Sequence, residues 1–211
     1  MGTGHLDHIL QRRQSYDLNN SVNGKVTQMV RTATTLCCLM LLVTGPAAAD
    51  QTDQRLDRLF ATLQKTQQLV DVRAAEDMIW SIWTENDDDI VSSLMSEGLA
   101  AMNENRLNMA LSMFDEVVVQ APDFAEGWNK RATVHFLLGN LLEAITDVEE
   151  TLDLEPRHFG ALSGLGQIYL LLGDETGALS AFEQALVMHP HLDGARSAVD
   201  ALVPRVRGRA L

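Results

Sequence analysis

The chain has 211 residues, enough for one medium-sized domain beside a targeting segment, and its 46% apolar content is ample for a packed core and excludes wholesale disorder. Its formal charge of −13 excludes a nucleic-acid binder, which must answer phosphates with clustered Lys and Arg, and argues equally against docking on anionic lipid. The two cysteines, Cys37 and Cys38, are adjacent, where a bridge is strained, so neither a disulfide framework nor a cysteine-based metal site is legible.

The first predicted element is not part of the fold. Residues 32–43, TATTLCCLMLLV, form an uncharged, mostly apolar run preceded by Lys25 and Arg31 and followed by Ala47, Ala48 and Ala49 before Asp50. A basic flank, a short apolar core and an Ala-x-Ala end are the three parts of a secretory signal peptide. The run is well short of the ~20 residues that span a bilayer. Residues 29–49 are therefore expected to be a cleaved signal peptide and the mature chain to be periplasmic, acidic, cysteine-free and not inserted in membrane. The other reading is an inner-membrane anchor left uncleaved. Residues 1–28 are polar and unpatterned, which makes them a disordered leader or an artefact of a start site that truly lies at Met29.

Residues 50–90 come next. RLDRLFATLQ and AAEDMIWSIW carry apolar residues at helical spacing: Leu56, Leu59, Phe60 and Leu63, then Ala75, Met78, Ile79, Ile82 and Trp83. These predict a helical hairpin that caps whatever follows, with residues 84–89, TENDDD, as a polar linker.

From residue 91 onward the chain repeats itself. A 34-residue unit beginning at Ala125 has Trp128 at position 4, Ala132 at 8, Ala144 at 20 and Pro156 at 32. The unit beginning at Phe159 has Leu162 at 4, Gly166 at 8, Tyr169 at 11, Ala178 at 20, Phe182 at 24 and Pro190 at 32. One period upstream, from Val91, the same positions hold Leu94, Gly98, Ala101, Ala110, Phe114 and Pro122. Three units, 91–124, 125–158 and 159–192, thus share one register without insertion.

Small residues at positions 8 and 20 let two antiparallel helices approach closely, and large ones at 4, 11 and 24 fill the space around that contact. Gly139, Gly173 and the Asn103–Asn105 stretch stand where each first helix should end in a left-handed turn. The prolines stop each second helix. Positions 7 (Glu97, Arg131) and 27 (Val117, Thr151) of the first two units depart from the pattern. In the same register the N-terminal hairpin would be a degenerate unit with Gln64 at 8 and Glu76 at 20, both wrong for close packing. Residues 193–203 predict one closing helix, and 204–211 a frayed basic tail.

The period and the placing of small, aromatic and proline positions resemble the tetratricopeptide repeat (TPR) family over residues 91–192. The resemblance implies an all-α solenoid of stacked helical hairpins in a right-handed superhelix, each hairpin covering its neighbour's apolar face. It also implies a non-enzymatic scaffold whose first helices line a concave groove for a protein or peptide. Groove positions 2, 5, 6, 9, 12 and 13 include Met95, Leu99, Met102, Asn129, Lys130, Thr133, Ser163 and Gln167. Asn129, Lys130, Ser163 and Gln167 can hydrogen-bond a peptide backbone, the methionines and leucine offer adaptable apolar contact, and Gly160 and Gly164 leave room for a close segment. The carboxylate clamp of chaperone-binding TPRs is not expected, because glycines occupy the third unit's cation positions. The groove can also be filled by the protein's own N-terminal hairpin.

Signals of chemistry are weak. Gly164-Leu165-Gly166 begins a dinucleotide fingerprint, but Tyr169 replaces its third glycine and no strand precedes it. His158, His189 and His191 are loop residues that could approach a metal, without a fixed third-ligand spacing. Glu149, Glu150, Asp153 and Glu155 are expected to be a solvated helix face, and Arg157 to brace an inter-repeat turn. No catalytic residue, metal or cofactor is expected. The rival to a peptide-binding role is assembly, with homo-oligomers formed through Trp80, Trp83 and the N-terminal hairpin.

Overall fold

The computed structural model describes residues 53–208. The leader and signal-peptide assignments, with Cys37 and Cys38, lie outside the described residues. Among those described there are nine α-helices and no strand: α1 Gln54–Lys65, α2 Leu69–Thr84, α3 Asp89–Asn103, α4 Leu107–Gln120, α5 Ala125–Leu138, α6 Leu141–Leu154, α7 Phe159–Leu171, α8 Glu175–Met188 and α9 Asp193–Arg207.

The repeat is written into the backbone hydrogen bonds. Arg106 N donates to Ala101 O at 2.8 Å, Asn140 N to His135 O at 2.9 Å and Asp174 N to Tyr169 O at 2.9 Å, three copies of one turn set 34 residues apart. Each closes a helix that passes through a left-handed residue: Asn105 (φ 57°), Gly139 (φ 80°) and Gly173 (φ 76°). Only Gly and Asn reach that region cheaply, which is why those residue types recur there. The second helices end alike, with Ala121 N to Val117 O, Glu155 N to Thr151 O and His189 N to Ala185 O, all 2.8 Å. Pro122, Pro156 and Pro190 follow in the turns, and Pro122 also accepts a 2.9 Å hydrogen bond from Trp128 Nε1.

Within the first and third hairpins the small position 8 receives an aromatic ring, whereas in the second Ala132 packs with Ala144 and Val148. A Cβ on Gly98 would lie 2.6 Å from Phe114, and one on Gly166 2.7 Å from Phe182. Ala110, Ala132, Ala144 and Ala178 are buried at the other small positions, and Tyr169 packs against the cluster around Phe182. The glycines of the Gly-x-Gly stretch therefore belong to a helix: Gly166 makes room for a ring and Gly164 faces open space.

One departure at position 7, Arg131, has a use. Arg131 grips the buried Asp147 with two hydrogen bonds of 2.8 and 2.7 Å, reaches Asp115 at 3.1 Å and lies 4.8 Å from the Trp128 ring. One guanidinium thus joins α4, α5 and α6. The Asp147 hydrogen bonds hold its pKa above the ordinary arginine value despite burial.

Two expectations at the chain's ends need correction. The closing helix does not fray at Pro204 but runs to Arg207. Val203 and Val206 pack on the α8 cluster, while Arg205 pairs with Glu175 and Arg207 with Glu183, and these contacts outweigh the proline's missing N–H.

The N-terminal hairpin, in turn, is not an end cap on the first repeat. α1 and α2 enclose a core of Leu56, Phe60, Leu63, Val72, Ala75, Ile79, Ile82 and Trp83, to which the solenoid adds buried Phe159 and partly buried Met188 and Leu192. Met78, expected to face inward, is exposed. The hairpin packs on α5, α7 and α8, across from the α3 it leads into.

Candidate functional site: a groove half filled and half open

The first helices of the second and third repeats, α5 and α7, run side by side and form the walls of one groove. Its N-terminal half is filled from within the chain. Trp83 stacks on His158, with centroids 4.1 Å apart and planes 12° from parallel. Trp80 meets His158 and Phe159 edge-on at 5.5 and 5.4 Å.

Beneath these rings lies a fully buried carboxylate, Glu126, the second residue of α5. His158 Nε2 is 3.0 Å from its Oε2, Asn129 Nδ2 donates to the same oxygen at 2.8 Å, and Lys130 Nζ is 2.7 Å from Oε1. Burial pushes the carboxyl up. The hydrogen bond and charge of His158, joined by Lys130, outweigh that and hold it below the ordinary glutamate range. His158 serves its own helix as well, because its Nδ1 accepts from Ala161 N at 3.1 Å and so caps α7. Lys130 lies 5.4 Å from the Trp80 ring.

The C-terminal half is open. A cavity of about 280 Å³ is bordered by Asn129, Ala132, Thr133, Phe136 and Leu137 on α5 and by Gly160, Ser163, Gly164, Gln167 and Ile168 on α7. Its floor is apolar. Ser163 and Gln167 make no side-chain hydrogen bond among the described residues, whereas the Thr133 hydroxyl donates to Asn129 O at 2.9 Å.

The expected groove residues therefore divide. Thr133, Ser163 and Gln167, groove positions by the family resemblance, border the cavity. Asn129 borders it but spends its amide on Glu126. Lys130 is a brace for Glu126, not a free cation, so the third unit's glycines are not the only obstacle to a carboxylate clamp. Met95, Leu99 and Met102 do not border the cavity: Met95 is buried in the α3–α4 core, and Leu99 and Met102, partly buried, pack against it. Val134 of α5 joins that cluster, so the face of α3 bearing Met95 is turned toward α5.

The loop histidines are likewise drawn to the hairpin. His158 goes to Trp83. His189, buried against Phe159, comes within 3.5 Å of Glu76 on α2, and His191 Nε2 lies 3.1 Å from Leu63 O on α1. Burial lowers the His189 pKa, more than the nearby Glu76 raises it. Among the described residues no three His, Cys, Asp or Glu side chains group as metal ligands.

Glu155 is not solvated with its neighbours either. It is buried and holds Arg157, whose Nη1 reaches Asp57 on α1 at 2.7 Å and whose guanidinium lies 4.9 Å from the Phe60 ring. Trp83 and, in large part, Trp80 are consumed by these contacts and are not a free surface. Spacing did contain a hint of the buried pair: Glu126 and His158 are 32 residues apart, close to one period, which sets them at the starts of neighbouring first helices.

Stacked helical hairpins of one length, a shared turn geometry and a groove lined by first helices define a helical-repeat solenoid. The tetratricopeptide repeat pattern matches residues 95–151 and 139–193. A TPR repeat-containing protein of Rhizobium etli is 34% identical over 161 residues, 76% of this chain and 79% of that protein. The chain belongs to the tetratricopeptide repeat family.

An Hsp70-Hsp90 organizing protein of Triticum aestivum is 28% identical over 102 residues, of whose length the chain spans only 18%. Among solved structures, the first TPR of Spaghetti (RPAP3) bound to the HSP90 peptide SRMEEVD has a TM-score of 0.55 at 17% identity, covering 57% of this chain and 96% of that one. The crystal structure of MamA has a TM-score of 0.53 at 20% identity, covering 67% and 78%. These likenesses bear on the fold.

Proposed function

We propose that the protein is a non-enzymatic interaction module that takes a peptide or a partner's helix into the open half of the α5–α7 groove. One observation carries this reading. The cavity joins an apolar floor to Ser163 and Gln167, two polar side chains without a partner among the described residues, and Gly164 keeps its wall low. Apolar surface supplies affinity there and the two polar groups orient a peptide backbone. The peptide-bound Spaghetti structure, with the same fold, supports a peptide as the ligand class. The ligand differs from an acidic C-terminus, because Lys130 is neutralised by Glu126.

The module acts outside the cytoplasm, in the periplasm, on the strength of the basic flank, apolar run and Ala-x-Ala end within residues 25–49. An N-terminal peptide of the mature protein beginning at Asp50 tests that, and one beginning within residues 1–48 contradicts cleavage there. For the groove, a photocrosslinker at Gln167 should capture one dominant partner from envelope extract. Gly164→Leu, which puts an isobutyl group into the cavity, should abolish the capture. Capture indifferent to Gly164→Leu would remove the groove as the binding site.

A further inference from the structure

We infer that the α1–α2 hairpin is an internal ligand, occupying a second, covered site on α5, α7 and α8 that accepts an external helix of the same pattern when the hairpin leaves. The inference concerns the filled half of the groove and does not depend on what enters the open half.

Three observations carry it. First, most of the hairpin's core is its own: eight of the nine buried residues lie on α1 and α2, and the solenoid adds Phe159, the partly buried Met188 and Leu192, and the His158 ring under Trp83. Segments with their own core open as units.

Second, the solenoid surface beneath is shaped for the occupant. Gly160 has a glycine where Trp80 arrives, and a Cβ there would stand 2.8 Å from Trp80 Cη2. α7 gains nothing from a glycine in its first turn, since alanine is the better helix former. Room for the ring is the reason on the page.

Third, the polar contacts are those of a dock and not of a repeat. Arg157 reaches Asp57, His189 approaches Glu76, His191 meets Leu63 O and Gln64 Nε2 donates to Val187 O at 3.3 Å. All four join the hairpin to the loops and helix ends of the second and third repeats. The ligand class follows: an amphipathic helix or helical hairpin with two aromatic residues three positions apart, like Trp80 and Trp83, and a carboxylate one turn before them for His189.

The test uses the full chain and two variants. Gly160→Ala should raise amide exchange within residues 54–84 while leaving residues 89–207 as protected or more so, because the same methyl group favours α7 and obstructs Trp80. Trp83→Ala should lower protection of the hairpin by about 100-fold with less than about 3-fold change across the solenoid. A fluorescent peptide of residues 53–85 should then bind the Trp83→Ala chain at least ~10-fold tighter than the parent, whose site is occupied in cis. Loss of protection throughout α5–α8 in either variant would make the hairpin an integral part of the core and overturn the inference. So would equal or absent peptide binding. If the Trp83→Ala chain instead pairs with a second copy and excludes the peptide, the bared surface is a dimer contact and the inference also fails.

Discussion

In the repeats, position 8 is a small residue closely covered by the second helix: Gly98 lies under Phe114, Gly166 under Phe182, and Ala132 packs with Val148. In the N-terminal hairpin the residues in that register are Gln64 at position 8 and Glu76 at position 20. Neither sits between its two helices: Gln64 bonds to Val187 O and Glu76 faces His189. The side chains that spoil the hairpin as a repeat are the ones that fasten it to the repeats. A degenerate unit here is a unit adapted to a different neighbour, docked on the groove instead of stacked in the array.

The largest test of that contrast is Glu126. Replacing it by Ala leaves the buried His158 and the partly exposed Lys130 without their carboxylate partner at the place where both regions meet. Removing one partner of a buried pair costs about 3–5 kcal/mol, so the urea midpoint should fall steeply. A loss under about 1 kcal/mol would mean that the site is wetter than its burial implies.

Gly98→Ala tests the repeat rule alone. The new methyl group meets Phe114, and overpacking of this kind costs about 1–3 kcal/mol against a helix-propensity gain of roughly 1 kcal/mol. Net destabilisation with hairpin exchange unchanged is the expected outcome, and a stabilised protein would show that the ring moves freely.

Acid tests the dock. Burial lowers the His189 pKa below the ordinary histidine value of 6.5, so the undocked chain binds the proton more readily. The stability this group contributes is present above pH 6.5 and is lost as pH falls below it through the lowered folded value. Glu76 and His191 face the same ring, the first opposing and the second reinforcing the shift. Hairpin exchange should therefore rise between neutral pH and mildly acidic pH, and His189→Gln should flatten the rise.

Two small effects complete the set. Asp57→Ala removes the partner of Arg157 from a position that is 80% exposed, so the loss should be about 0–1 kcal/mol and confined to the hairpin. Gly164→Ala, with nothing within 4 Å of the added Cβ, should stabilise by roughly 0.5–1 kcal/mol, measured as a raised urea midpoint.

The repeats were legible because each rests on local rules at fixed spacing. The turn residues Asn105, Gly139 and Gly173, the prolines and the small positions can all be read one unit at a time. The solvated faces were legible for the same reason. What escaped is long-range. Asp57 and Arg157 are 100 residues apart and Leu63 and His191 are 128 apart, and no periodicity links them. Three loop histidines look like metal ligands until their partners on the hairpin are seen. Met95 looks like a groove residue from its position in the unit, because one unit read alone does not show that Val134 of α5 joins its cluster. The open half of the groove was legible at Thr133, Ser163 and Gln167; the filled half needed the knowledge that Glu126 is buried and that Trp83 lies on His158.

Arrays of identical units ordinarily gain and lose copies with little penalty, since each unit asks only for a neighbour. The dock changes that here. α2 is joined to α3 through the short segment 85–88, yet it seats against α5, α7 and α8. Inserting another 34-residue unit after residue 124, or deleting 91–124, would keep every turn and every stacked helix intact while carrying Phe159, His158 and His189 out of register with Trp80, Trp83 and Glu76. The hairpin thus works as a gauge of length: its contacts with Phe159, His158 and His189 are set for an array of this size, so in this chain the number of units is tied to the dock.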